Sequence, residues 1–171
     1  MKDLPTRIFD AFYEGILDTA VFYSSDDAYL YRLDEYRQVF ERLAKEQGVC
    51  VVYYDFKTAP VDVYPHFMAH LVQIIDPCQS KPYSFLSDVF KTIAQGEQAY
   101  FLILDNIEYL YQLADTRPLT GSLRTCLDIY KNNICTSVFC RDRTDFNKLY
   151  FSYNEPFYRF GHLIDVADKH P

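Results

Sequence analysis

The sequence has no tryptophan, a shortage of positive charge and no long apolar run. Lys and Arg number 17 against 24 Asp and Glu, a net charge of −7. That is the wrong sign for a protein that grips nucleic-acid phosphate over most of its own surface, so any contact with DNA is local or shared with partners. No stretch approaches the ~18 consecutive apolar residues of a spanning helix. The start, MKDLPTRIFDAFYEG, carries acids and a proline where a signal peptide needs an uninterrupted apolar segment. The expectation is a chain neither secreted nor embedded in a membrane. Five cysteines, Cys50, Cys78, Cys126, Cys135 and Cys140, are an odd number, and three lie in apolar runs. Reduced structural thiols, and hence an intracellular setting, fit that usage. What is abundant is aromatic surface: 16 Tyr and 14 Phe make 18% of the chain, suited to interfaces that present an apolar body with a polar tip. With 49% hydrophobic and 24% charged residues, the 171-residue chain has globular composition and one-domain length.

Two kinds of segment alternate. Short runs rich in Val, Tyr, Phe and Ile occur at Thr19–Ser24, Val49–Phe56, Ala99–Leu104, Thr136–Cys140 and, less distinctly, Phe157–Ile164, and these predict strands. Between them apolar residues recur at helical spacing: Tyr29 to Leu43, Val63 to Ile74, Phe85 to Ile93 and Leu119 to Tyr130. Gly48 and Gly96 are placed as left-handed C-terminal caps, and Ser84 and Asp62 as N-terminal caps. Asp76–Tyr83 reads as a polar helix-to-helix loop. Strands that are apolar throughout and separated by helices predict a three-layer α/β/α domain with a parallel sheet, spanning residues 1–171.

The sharpest local feature is Tyr100–Leu110, YFLILDNIEYL, a buried strand ending in Asp105 with Glu108 just beyond. In P-loop nucleoside triphosphatases an acid at this strand end orders Mg²⁺, and a following acid orients the attacking water. The same pattern also suits an ordinary strand end that caps the next helix. If this is the third strand, the loop after the first should carry G-x-x-x-x-G-K-[ST]. It reads Ser24-Ser25-Asp26-Asp27-Ala28-Tyr29 instead. No glycine lets amides close around phosphate, no lysine reaches it, and Asp26 and Asp27 repel an anion while favouring the helix dipole.

The chain resembles the AAA+ domain of the origin recognition complex and Cdc6 group, most closely the subunit 5 type. Five stretches carry the resemblance: Leu4-Pro5-Thr6-Arg7 with a short helix before the first strand, Asp105-Asn106-Ile107-Glu108-Tyr109-Leu110, the Leu-rich helix Leu119–Leu127, the sensor-1 strand Ser137–Cys140, and Glu155-Pro156-Phe157-Tyr158-Arg159-Phe160. The resemblance implies a P-loop NTPase-like core with a degenerate phosphate loop at Ser24, Ser25, Asp26 and Asp27, and a vestigial nucleotide and Mg²⁺ site at Asp105 and Glu108. Asn106 stands where active members of the group usually place the catalytic Glu. The chain ends about where the family core passes into its helical lid and winged-helix regions, so the expectation is a core without them, whether as a reduced protein or a fragment.

Arg141 and Arg143 follow the fourth strand, and the resemblance makes them candidates to reach a neighbour's γ-phosphate in an assembled ring; solvated arginines paired with Asp142 and Asp145 are the alternative. His66 and His70, four apart, lack a third ligand at metal-binding spacing and fit an amphipathic helix. Cys135 and Cys140 fit apolar packing. Tyr109, Tyr111, Tyr150, Tyr153 and Tyr158 are candidates for an interface core. The function implied is a non-catalytic subunit of an origin recognition complex, nuclear, acting in replication initiation through sister subunits, touching DNA only indirectly or within the complex, with no membrane role and no cofactor of its own. A nucleotide-dependent ATPase switch and a stand-alone α/β interaction protein of the inhibitor or immunity type are the alternatives.

Overall fold

The computed structural model describes residues 3–111, 117–131 and 133–168. In chain order the elements are α1 (Leu4–Tyr13), β1 (Thr19–Tyr23), α2 (Tyr31–Glu46), β2 (Cys50–Asp55), α3 (Val63–Ile75), α4 (Leu86–Gln95), β3 (Tyr100–Asp105), α5 (Arg117–Tyr130), β4 (Ile134–Phe139), α6 (Arg143–Phe151) and β5 (His162–Asp165). Single 3₁₀ turns at Asp27–Tyr29, Phe56–Thr58 and Ile107–Tyr111 follow β1, β2 and β3. The five strands form one parallel sheet in the order β2-β3-β4-β1-β5.

Strand alternation sorts the sheet's side chains into two cores, which is why these strands read as apolar throughout. Phe101 and Ile103 of β3 face one side with Phe22 and Phe139, against Phe9 and Phe12 of α1 and Leu33, Tyr36 and Phe40 of α2. Leu102 and Leu104 face the other with Val52 and Val138, against Phe67 of α3, Phe90 of α4, Leu123 of α5 and Phe146 of α6. The result is the three-layer α/β/α arrangement, with α1 and α2 on one face and α3 to α6 on the other. Phe40 is the hub of the first core: its ring centroid lies 5.3 to 6.3 Å from those of Phe22, Phe101, Phe12, Tyr36, Phe9 and Phe139.

Several local expectations are corrected. Gly48 has the left-handed φ of 71° expected of a helix cap, but Gly96 ends α4 in an extended conformation with φ −82°. Ser84 does not cap α4: Phe85 holds the N-cap position, and the Asp88 carboxylate accepts from the Ser84 and Phe85 amides. Asp62 flanks α3 without a side-chain cap bond. The last strand covers only His162–Asp165. Phe157 and Phe160, three residues apart, are both buried and pack ring to ring at 5.2 Å within a turn, and Arg159 and Gly161 at φ 47° and 66° reverse the chain. Helix α6, short and flanked by charge, is absent from the periodicity pattern; Asp142 caps it through the Asp145 amide at 2.8 Å. Cys126 and Cys140 are buried, Cys50 and Cys135 half-buried and Cys78 exposed, and all five are free thiols. No helix among the described residues is long and apolar enough to cross a membrane.

Candidate functional site

In an open parallel sheet the loops at the carboxyl ends of the strands form the crevice where ligands bind. Here β2 and β3 place Asp55 and Asp105 side by side in register. Two neighbouring carboxylates repel, and the chain answers with a local device. Asn106 adopts φ 53°, which carries its Nδ2 to Asp55 Oδ1 at 2.7 Å while its amide donates to Asp105 Oδ1 at 2.9 Å.

Asp105 itself is 2% exposed, so its charge needs a counter-ion. Arg141, just past β4, supplies it: Nε and Nη2 donate to Asp105 Oδ1 at 3.1 and 3.0 Å, and Nη2 also lies 2.9 Å from Oδ2. The same guanidinium donates to Asp34, in the first turn of α2, from Nη1 at 3.2 Å and Nη2 at 3.0 Å. Burial works against the Arg141 charge, but hydrogen bonds and attraction from Asp105 and Asp34 outweigh it and raise its pKa. Tyr53 closes the other side, donating to Asp105 Oδ2 at 3.2 Å, and its phenol is pushed up by burial and then by the Asp105 and Asp55 charges. Arg37 lies over the Tyr53 ring, pairs with Glu41, and brings its Nε to 3.5 Å from Asp105.

Glu108, also 2% exposed, sits in the turn after β3 and accepts the Arg141 amide at Oε1, 3.2 Å away. Its Oε2 is buried without a nitrogen or oxygen donor, and the Cys140 thiol, a weak donor, is the side chain set against the carboxyl. Burial raises its pKa, only partly offset by its own amide, the Arg141 amide and the Cys140 thiol. Burial, and then the Glu108 carboxyl, push that thiol up in turn.

The loop after β1 closes on itself. Ser24 is buried, and its hydroxyl donates to the Asp26 carbonyl at 2.6 Å and accepts the Asp26 amide at 3.4 Å. The Asp26 carboxylate accepts the Ala28 amide at 2.9 Å, while the Tyr29 and Leu30 amides donate to the Asp26 and Asp27 carbonyls. The Ser25 amide donates across the sheet to Asp165 Oδ1 at 3.0 Å, and the Ser25 carbonyl accepts from Arg143 Nη1 at 3.1 Å. Burial would raise the Asp165 carboxyl, but hydrogen bonds from Ser25, Ala167 and Tyr23 prevail and hold it below the usual range. The amides of Ser25, Asp26, Ala28, Tyr29 and Leu30 therefore all have partners within the chain.

Asp105, Glu108 and Arg141 thus come together, and Ser24, Ser25, Asp26, Asp27 and Arg143 form the adjoining loop cluster. Arg141 is turned inward to its own carboxylates. Five participants carried no sequence signal for the site: Asp34 and Arg37 read as the polar face of α2, Tyr53 and Asp55 as part of the second strand, and Asp165 as a strand end. His66 and His70 do not join the charge cluster: they contact the Tyr54 hydroxyl and the Tyr53 backbone carbonyl. No group of three metal-ligating side chains occurs among the described residues. Of the interface candidates, Tyr150 is buried, Tyr109 and Tyr158 half-buried and Tyr153 83% exposed; the side chain of Tyr111 lies outside the described residues.

Neither a protein-family model nor a curated protein matches the sequence. Solved structures do match. A Walker-type ATPase of Pyrococcus abyssi superposes with a TM-score of 0.67 at 13% identity, over 97% of this chain and 53% of that one. The Aeropyrum pernix ORC2 protein follows at 0.63 and 14%, over 95% and 45%. The fold is an α/β, P-loop NTPase-like one. A chain of the Drosophila ORC bound to DNA, at 0.55 and 15% over 87% and 37%, shares it. So does AMPPCP-bound DnaA from Aquifex aeolicus, at 0.54 and 15% over 96% and 47%. The chain spans between 37% and 53% of the length of these four solved chains. In this P-loop NTPase-like fold, the carboxylate at the end of β3 and the loop after β1 stand at the carboxyl ends of the strands, where enzymes of that fold hold nucleotide.

Proposed function

We propose that this chain is a replication-initiator subunit of the origin recognition type, closest to subunit 5, which works in the nucleus by holding sister subunits and does not turn over ATP. One observation carries the reading: the groups that would receive Mg-ATP are already engaged by the chain itself. A phosphate loop works by aiming free amides and a lysine at the triphosphate. Here five loop amides are bonded internally, two of them to the carboxylates of Asp26 and Asp165. A metal would need Asp105, whose lone pairs are committed to Arg141, Tyr53 and the Asn106 amide. The likeness to ORC and DnaA folds supports the replication setting, and the net charge of −7 supports contact with protein neighbours over direct wrapping of DNA.

Calorimetric titration of the chain with Mg-ATP is expected to give no saturable heat at micromolar concentration. A micromolar dissociation constant that weakens in Asp105→Asn would overturn the reading in favour of an ATPase switch. Gentle purification followed by mass spectrometry is expected to recover sister subunits in fixed stoichiometry; recovery of the chain alone counts against the assembly role.

A further inference from the structure

The sheet ends in β2 on one side and β5 on the other, and the two edges differ. In β2 the Cys50 amide donates inward to the Ala99 carbonyl at 2.9 Å, and along the parallel ladder Cys50, Val52 and Tyr54 turn both main-chain groups toward β3. Val51 and Tyr53 therefore turn theirs outward, and both residues are only half-buried. Of these four outward groups the Tyr53 carbonyl is engaged: His70 Nε2 donates to it at 2.9 Å. Among the described residues no group hydrogen-bonds to the Val51 amide, the Val51 carbonyl or the Tyr53 amide.

Proteins guard exposed sheet edges with a lysine, a proline, a bulge or a very short strand. β2 has none of these: the six residues CVVYYD stand in unbroken register with β3, and their one charge, Asp55, lies at the end. At the other edge β5 runs for only four residues, and the Asp165 carbonyl takes the Asp168 amide. The open groups of β2 are donors and an acceptor at strand spacing, a pattern matched by the main chain of another extended segment.

We propose that the outer edge of β2 takes up an extended segment of a partner protein as a further strand, held by the Val51 amide and carbonyl and by the Tyr53 amide. A second copy of this chain fits the edge poorly. Antiparallel pairing of β2 with itself, centred on Tyr53 or on either neighbour, twice sets an amide of one copy against the guarded Tyr53 carbonyl of the other, and each copy brings a net charge of −7. A foreign strand meets that guarded carbonyl once. Affinity then rests on main-chain bonds, and the preference is for β-branched and aromatic residues beside Val51, Val52, Tyr53 and Tyr54. The groups involved are main-chain atoms on the flank of the sheet, so the proposal stands whether or not the charge cluster binds nucleotide.

The test is selection of a random peptide display library on the immobilised full chain, followed by amide hydrogen exchange read residue by residue. In the free chain the Val51 and Tyr53 amides are expected to exchange about tenfold or more faster than those of Val52 and Tyr54, and an enriched peptide should slow both by a similar factor. Methylating the peptide nitrogens one at a time should abolish binding at alternate residues only, because successive amides of a strand point to opposite sides. Val51→Pro removes an outward donor and leaves the ladder to β3 in place, so it should weaken the peptides by about tenfold with little change in thermal midpoint. If that variant does not fold, the exchange and methylation patterns decide the matter on the parent chain. No enrichment, a free chain in which Val51 and Tyr53 are as protected as Val52, or peptides that bind without slowing these two amides would each overturn the proposal. Protection of the same amides that grows with chain concentration in the absence of peptide would also overturn it, since a second copy would then be the occupant.

Discussion

A buried carboxyl group with one oxygen lacking any nitrogen or oxygen donor is costly when ionised, and Glu108 is in that position, with only the weak Cys140 thiol set against it. Its pKa is raised by burial, so the sign of its effect on stability follows from linkage. Below pH ~4 the group is neutral in both the folded and unfolded chains and costs nothing. As pH rises, the unfolded chain ionises first, and folding must then oppose that ionisation until the folded pKa is passed. Glu108→Gln removes the penalty while keeping an oxygen for the Arg141 amide. Urea unfolding of the two proteins should coincide near pH 4, and the variant should be the more stable at pH 8. A variant less stable at pH 8 would mean that the charged form is favoured by a group this geometry does not include.

Between elements, Arg141 clamps three pieces of structure: the end of β3 through Asp105, the start of α2 through Asp34, and the turn after β3 through Glu108. Breaking a buried pair leaves the surviving charge uncompensated, a cost of about 3–5 kcal/mol when both partners are fully enclosed. The Arg141 side chain retains 24% exposure and Arg37 stands nearby, so Arg141→Met should cost about 2–3 kcal/mol. Adding Asp105→Asn should recover a large part of that loss, because the amide still meets Tyr53 and needs no counter-ion. Chemical denaturation of the two single variants and the double variant measures this, and additive losses would show that the pair does not act as a unit.

The elements themselves were largely legible. The strands and longer helices follow from apolar runs and helical spacing, and Asp105 was marked by its place after YFLIL. What was hidden was tertiary. Nothing in Asp34-Glu35-Tyr36-Arg37 distinguishes a helix face that meets a strand end from one that meets water. Arg141 looked outward because its partners lie 36 and 107 residues away in sequence. The final aromatic run read as a strand because aromatic content favours strands, whereas Phe157 and Phe160 share one face only by turning.

At the scale of the whole molecule, two cores hold one sheet from either side, and the crevice at the strand ends is closed by side chains drawn from both halves of the sequence. A protein that binds a nucleotide gains stability in proportion to the logarithm of ligand concentration. On the function proposed above, thermal unfolding of this chain should give the same midpoint with and without millimolar Mg-ATP. A rise of several degrees on adding nucleotide would point to a site that opens to admit it.

Arg141 behaves as a tethered ligand, held beside Asp105 by the chain itself at an effective concentration that no change in the cell's supply alters. An ATPase domain reports the ratio of ATP to ADP through the occupancy of this crevice. A domain with an arginine fastened there keeps one setting throughout. In the assembly proposed above, such a subunit would serve as the fixed reference against which the movements of its neighbours are made.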